Sequence, residues 1–215
     1  MSYGAFKAPT SVGIVDVGIA NLGSIERILS EVADEVVVVK DGSQLDSLDR
    51  LVLPGVGAFP IAMERLSAVG LVNDIREFAV RMKRPLLGIC LGMQLLASVG
   101  EEHEMTEGLG LIAGRVRRFA EGDGVRVPHV GWNSVEIERR SEILRNVPNE
   151  SDFYFVHSFV LDVNNPINTI ATSVYGERFT AAVQVENIVG VQFHPEKSSK
   201  IGRLVLSNFC EWNPC

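Results

Sequence analysis

Apolar positions in this chain fall into short solid runs in its first half and into broken, alternating runs in its second. Val12-Gly13-Ile14-Val15 reads as a buried strand. Val36-Val37-Val38-Val39 reads as an interior one, too short and too uniformly apolar for anything else. Leu51-Val52-Leu53 is a third, ending in the loop Pro54-Gly55-Val56-Gly57, and Leu86-Leu87-Gly88-Ile89 is a fourth. Helical periodicity covers roughly 22–33, with Asn21 as its candidate cap, then 58–66 and 71–82, and a further helix opens at Leu91. Strands alternating with helices predict an open, mostly parallel sheet flanked by helices on both faces.

From about Leu109 to Val191 the pattern changes. Turn signals such as Gly122-Asp123-Gly124, Asn164-Asn165-Pro166 and Tyr175-Gly176 separate short runs, and Val135-Glu136-Ile137 alternates, as do parts of Thr169 to Ser173. Additional mixed or antiparallel strands are expected there. The segment 200–212 is an amphipathic helix with Ile201, Leu204, Val205 and Phe209 on one face. The expected class is therefore α/β, with 1–11 as a flexible lead-in and 12–215 as a single domain. No repeat, low-complexity tract or linker interrupts it.

Composition narrows the function. Hydrophobic residues make up 46% of the 215 and charged residues 22%, ordinary for a protein with a substantial core. The net charge of -7 comes with scattered Lys and Arg, which gives nucleic-acid binding no support. No apolar stretch reaches the ~18 residues of a membrane span, and Met1 to Ser11 lacks the apolar centre of a signal peptide. Three cysteines, Cys90, Cys210 and Cys215, make no disulfide framework, so a cytoplasmic location is expected. Cys210 and Cys215 read as a packing residue and a tail residue rather than a disulfide or metal pair. Neither a metal nor a cofactor is expected.

Two runs carry chemistry. Gly88-Ile89-Cys90-Leu91-Gly92 places a thiol in the turn between a strand and a helix. There the helix N-terminus favours the thiolate and a sharp elbow presents the sulfur, while the glycines permit close approach. Val191-Gln192-Phe193-His194-Pro195-Glu196 follows another buried run. His194 is a candidate base, with Glu196 orienting its ring. The glycines of Pro54-Gly55-Val56-Gly57 allow backbone N–H groups to converge on a developing oxyanion, with the Leu91 N–H as a second donor. A phosphate-binding loop is the alternative there, but the Gly-Lys-Ser/Thr ending is missing.

These three motifs, in this order, resemble class I glutamine amidotransferases. His129-Val130-Gly131-Trp132-Asn133, Tyr154-Phe155-Val156-His157-Ser158-Phe159 and His194-Pro195-Glu196-Lys197-Ser198 look like the glutaminase subunit of imidazole glycerol phosphate synthase, over about 12–209. The resemblance implies that Cys90 attacks the side-chain amide of L-glutamine, that His194 moves the proton and that Glu196 orients His194. A γ-glutamyl thioester is then hydrolysed to glutamate. It also implies Val56 and Leu91 as oxyanion donors, and Gly57, Gln94, Glu102, Ser158 and Phe159 as glutamine-binding positions. The implied partner is a (β/α)₈-barrel cyclase in a heterodimer, reached near Asn21, Trp132, Tyr154 and Lys197. Ammonia passes to it to make imidazole glycerol phosphate and an aminoimidazole carboxamide ribotide in histidine biosynthesis. In such enzymes the oxyanion loop is poorly arranged until the partner binds its ligand.

At the interface positions other roles compete: core packing for Trp132 and Tyr154, a helix cap for Asn21, a solvated charge for Lys197. Ala20 stands where the resemblance leads one to expect glycine, and Ala97-Ser98-Val99-Gly100 is less acidic than common members. Two alternatives remain open: the same glutaminase chemistry feeding a sugar-amidating synthase, and a free-standing cysteine or γ-glutamyl hydrolase.

Overall fold

Alternate positions of the first-half strands bury on opposite sides, as a parallel sheet covered on both faces requires. The computed structural model describes residues 10–120 and 125–214; the lead-in through residue 9, the turn Gly122-Asp123-Gly124 and Cys215 lie outside the described residues. In chain order the elements are β1 (Ser11–Val15), α1 (Leu22–Leu29), β2 (Glu35–Val39), β3 (Arg50–Gly55), α2 (Phe59–Ala68), α3 (Leu71–Arg76), β4 (Leu86–Cys90) and α4 (Leu91–Leu95). They continue with β5 (Ala97–Gly100), β6 (Thr106–Glu107), β7 (Ile112–Arg118), β8 (His129–Ile137), β9 (Ser151–His157) and β10 (Phe159–Val163). The last are β11 (Thr169–Tyr175), β12 (Glu177–Val185), β13 (Ile188–Val191) and α5 (Ser199–Glu211).

Among the described residues nine strands form one sheet, in the order β2-β1-β3-β4-β13-β12-β11-β8-β9, and four form a second, β10-β7-β5-β6. Pairing is parallel from β2 through to β13. It is antiparallel from β13 through to β9. The mostly parallel first half and the antiparallel additions thus meet at β13, a strand from the far end of the chain inserted beside β4.

Period-two burial builds a core on each face. Val12, Ile14, Val52, Leu87, Ile89, Val189 and Val191 pack with Ile25, Ile28 and Leu29 of α1 and Val205, Leu206 and Phe209 of α5. Val15, Leu51, Leu53, Leu86 and Ile188 face the other way, onto Phe59, Ala62, Met63 and Leu66 of α2 and Leu71 and Ile75 of α3. Each such side chain contributes ~1.5–3 kcal/mol on burial.

Several expectations need correcting. Val36–Val39 is not interior: β2 is the last strand on its side of the sheet, with Val36, Val37 and Val38 half-buried and only Val39 buried. A β-branched run satisfies an edge as well as a centre, and strand order is a tertiary property. Strand β3 runs on through Pro54 and Gly55, which pair with Ile89 and Cys90. Helix α1 ends at Leu29 rather than near Ala33, and the chain turns away through Val32 and Ala33 N–H bonds to the Leu29 carbonyl. Residues 71–82 divide into α3 and a π-helical turn, Glu77–Arg81. In α5, Val205 and Phe209 are buried, whereas Ile201 and Leu204 are only partly so. No helix among the described residues is long and apolar enough to cross a membrane.

Candidate active site

Strands β3, β4 and β13 are neighbours, and their carboxyl ends open on one crevice, where α/β sheets expose functional groups. Gly55 lies opposite Cys90, and Val191 opposite Ile89, so the three motifs singled out in the sequence emerge side by side. Cys90 takes φ 54° and ψ -110° between β4 and α4, a strained conformation for a residue with a side chain. Its neighbours explain how the elbow closes. A Cβ on Gly92 would come within 1.7 Å of the Leu53 carbonyl oxygen, and one on Gly88 within 2.6 Å of the Gly92 carbonyl oxygen. Only glycine lets α4 lie this close to β3 and β4. The sulfur lies 3.7 Å from the Val156 carbonyl oxygen and 3.7 Å from the Gln192 side-chain nitrogen.

His194 is buried, and its Nδ1 bonds Glu196 Oε1 at 2.7 Å. A carboxylate accepts only, so Nδ1 carries the proton and Nε2 is left for the thiol side of the site. Nε2 and Glu196 Oε2 are both buried and have no well-aligned hydrogen bond. Burial works against the imidazolium, but Cys90 and then Glu196 outweigh it and raise the ring pKa to about 9. The turn carrying His194 is fastened to β9. The His194 N–H donates to the Tyr154 carbonyl at 2.9 Å. The Ser198 hydroxyl accepts from the Tyr154 N–H at 3.0 Å and donates to the His194 carbonyl at 2.6 Å.

A cavity of about 240 Å³ adjoins the sulfur, lined by Val56, Gly57, Leu91, Gln94, Glu102, Ser158 and Phe159 among others. Every oxyanion and glutamine-binding position expected from the sequence therefore reaches one cavity. Gly57 has φ +108°, the left-handed region that favours glycine. Glu102 Oε2 accepts the N–H of Phe59 at 2.7 Å, at the start of α2. Gln94 Nε2 donates to the Phe159 carbonyl at 3.0 Å.

Val56 departs from its expected part. Its N–H donates to the Ile19 carbonyl at 2.6 Å, so in this conformation the group meant for an oxyanion is engaged on the β1–α1 loop. Leu91 differs: it opens α4, and the leading N–H groups of a helix have no partner within it.

Of the four expected interface residues, Trp132, Tyr154 and Lys197 form one patch. Trp132 is 53% exposed, which removes the core alternative, and meets Tyr154 edge-on with ring centroids 6.0 Å apart. Lys197 Nζ lies 5.7 Å from the centre of the Tyr154 ring. Asn21 precedes α1 but makes no capping bond, and it is exposed.

Two buried polar pairs escaped the sequence reading. His157 Nδ1 contacts the Phe159 carbonyl at 2.9 Å, and His157 Nε2 meets His129 Nδ1 at 3.1 Å. Burial lowers His157 to about 3 and His129 to about 4, so both rings are neutral. Gln192 is fully buried and joins Gln94 at 3.1 Å. An amide inside the apolar run Val189 to Phe193 was the available signal, because burial without partners is costly.

Comparison with known proteins shows the family. The family model for glutamine amidotransferase class-I matches residues 13–211. The chain is 44% identical over 201 residues to imidazole glycerol phosphate synthase subunit HisH 2 of Vibrio vulnificus, covering 93% of each. It is 44% identical over 200 residues to the HisH subunit of Moorella thermoacetica, covering 93% of this chain and 94% of that one. Among solved structures, PurLQS from Thermotoga maritima superposes with a TM-score of 0.72 at 18% identity, covering 94% of this chain and 98% of that chain. A structure described as a glutamine amidotransferase gives 0.72 at 20% identity, covering 92% and 98%. At such identities these two speak for the fold alone, whereas the family model and the HisH relatives span nearly the full length. The chain belongs to the class-I glutamine amidotransferase family and, within it, to the HisH proteins.

Proposed function

We propose that this chain is the glutaminase subunit of an imidazole glycerol phosphate synthase, hydrolysing L-glutamine to glutamate and ammonia for histidine biosynthesis. The observation that carries this reading is the strained Cys90 elbow beside the Glu196-bonded His194, at the mouth of one cavity. Cys90 attacks the side-chain carbonyl carbon of glutamine, forming a C–S bond. His194, having taken the thiol proton, gives it to the departing nitrogen, and ammonia leaves. Water, deprotonated by His194, then attacks the γ-glutamyl thioester; the C–S bond breaks and glutamate is released. Such proton transfer is worth ~10²–10⁴-fold. Gly57, Gln94, Glu102, Ser158 and Phe159 hold the substrate, and Val56 and Leu91 supply the oxyanion donors once the Val56 N–H is released from Ile19.

The receiver of ammonia is a (β/α)₈-barrel cyclase, docked as a heterodimer on the patch of Trp132, Tyr154 and Lys197 and on Asn21. The chain acts as one domain, in the cytoplasm where its biosynthetic relatives are expected to work. The HisH names of its relatives favour this acceptor over a sugar-amidating one. A free-standing hydrolase is disfavoured by the committed Val56 N–H, which leaves the oxyanion site half-built. Glutamine hydrolysis measured with and without the cognate cyclase and its nucleotide tests the assignment. Restoring one oxyanion donor is worth ~10²–10³-fold, so turnover should rise on that scale with the ligand-loaded partner. Cys90→Ala should abolish it while still co-eluting with the cyclase. Full activity of the isolated chain, or undiminished turnover in Cys90→Ala, would refute the reading.

A further inference from the structure

We propose that Gln192 is a catalytic residue of the thiol chemistry: its side-chain N–H donates to Cys90 Sγ and stabilises the sulfur anion both as nucleophile and as leaving group. This inference rests on the glutaminase reading above and assigns a role to a residue outside the Cys-His-Glu set.

The orientation of the Gln192 amide is fixed by a chain of obligatory donors and acceptors. It begins at the Phe159 carbonyl, which can only accept. Gln94 must therefore turn its Nε2 toward that carbonyl, at 3.0 Å. The same Nε2 lies 3.1 Å from Gln192, so the atom Gln192 presents to it is the accepting Oε1. That leaves Gln192 Nε2, the donor end, directed at Cys90 Sγ at 3.7 Å, a normal separation for a bond to sulfur. Flipping the Gln192 amide would set a nitrogen against a nitrogen and an oxygen against the sulfur. The backbone is equally settled, since the Gln192 N–H donates to the Ala181 carbonyl at 2.8 Å.

Hydrogen bonds to an ionised partner are roughly twice as strong as neutral ones, and more so where water is excluded. Gln192 is 0% exposed, so its amide contact with sulfur is sheltered from solvent. The sulfur bears negative charge before the C–S bond forms, loses it in the thioester, and regains it as that bond breaks. An N–H aimed at the sulfur therefore favours the thiolate at the start of acylation and the departing thiolate during hydrolysis. A second consequence concerns Gln94. With its amide protons directed to Phe159 and Gln192, it offers the substrate its Oε1, an acceptor suited to the ammonium of glutamine.

The test is the pH profile of Cys90 carboxamidomethylation by iodoacetamide, read by peptide mass so that Cys210 and Cys215 do not contribute. Wild-type chain is compared with Gln192→Leu and Gln192→Met, each checked for folding by its melting transition. The profile should move up by about one pH unit in the variants, a tenfold smaller reactive fraction on the rising limb. Unchanged profiles in a folded variant would overturn the proposal and reduce Gln192 to packing. A measurement on the wild type stands independently of any variant. The Gln192 side-chain amide resonances should titrate together with Cys90 reactivity and shift when the sulfur is alkylated; resonances indifferent to both would overturn it as well. Because neither readout uses glutamine turnover, a failure of the glutaminase reading would be seen separately, as absent hydrolysis in the ligand-loaded complex.

Discussion

His194 and the buried His129–His157 pair are pushed in opposite directions. His194 is raised to about 9, burial being outweighed by Cys90 and Glu196. An unfolded chain releases that proton near the ordinary histidine value of about 6.5. The stabilisation is therefore complete below about 6.5 and is lost as pH rises through about 9. His157 and His129 are depressed by burial to about 3 and about 4. There the unfolded chain binds protons that the folded chain refuses, so stability falls as pH drops below about 6.5. Melting temperature against pH should show both flanks. In Cys90→Ala the alkaline flank should flatten, and in the double variant His129→Gln, His157→Gln the acid one; flanks that survive these substitutions would contradict the assignments. Cys90, His194 and Glu196, the proposed triad, stood out in the sequence because each lies at or soon after the end of a strand and carries chemistry that a core does not need. Gln192 was hidden in the same motif because nothing local says that its amide has partners on β4 and α4.

At the scale of elements, the elbow depends on close backbone approaches at Gly88 and Gly92. Helix α4 is five residues long, too short to persist alone, and survives because all its residues are buried between β3, β4 and β13. Gly92→Ala forces a methyl against the Leu53 carbonyl oxygen. It should cost ~1–3 kcal/mol or more and shift the sulfur, seen as a lower melting temperature together with slower Cys90 alkylation. A wild-type-like response in both would show that α4 has room to move away. The apolar runs marked these strands in the sequence but not their order. Val36–Val39 and Leu51–Leu53 read alike, yet one closes an edge and the other lies central. Pairing depends on contacts made across the whole chain, so the alternation that reveals a strand leaves its neighbours undetermined.

For the molecule as a whole, the sheet changes from parallel to antiparallel at β13, and β9 serves both the cavity, through Val156 and His157, and the aromatic patch, through Tyr154. The patch is fastened to the site by short bonds, from Tyr154 to His194 and through Ser198. Buried aromatic anchors dominate interfaces, each worth ~2 kcal/mol or more, about 30-fold in affinity. Trp132→Ala should weaken cyclase binding on that scale, measured by titration, with little change in melting temperature since the ring is 53% exposed. Undiminished affinity would move the docking surface elsewhere. This level was the least legible from sequence: a tryptophan on an alternating strand reads equally as core or surface until the sheet to which it belongs is assembled.

The bond from the Val56 N–H to the Ile19 carbonyl ties the loop after β3 to the loop after β1. Ile19 lies two residues before Asn21, on the side of the crevice assigned to the partner. A protein grasping that loop would tug on the latch itself, with no relay through the core. Breaking one such bond costs about 0.5–1.5 kcal/mol, a load that even a weak grip can bear. With the latch closed, the proposed glutaminase would leave the cell's glutamine untouched until a partner arrives.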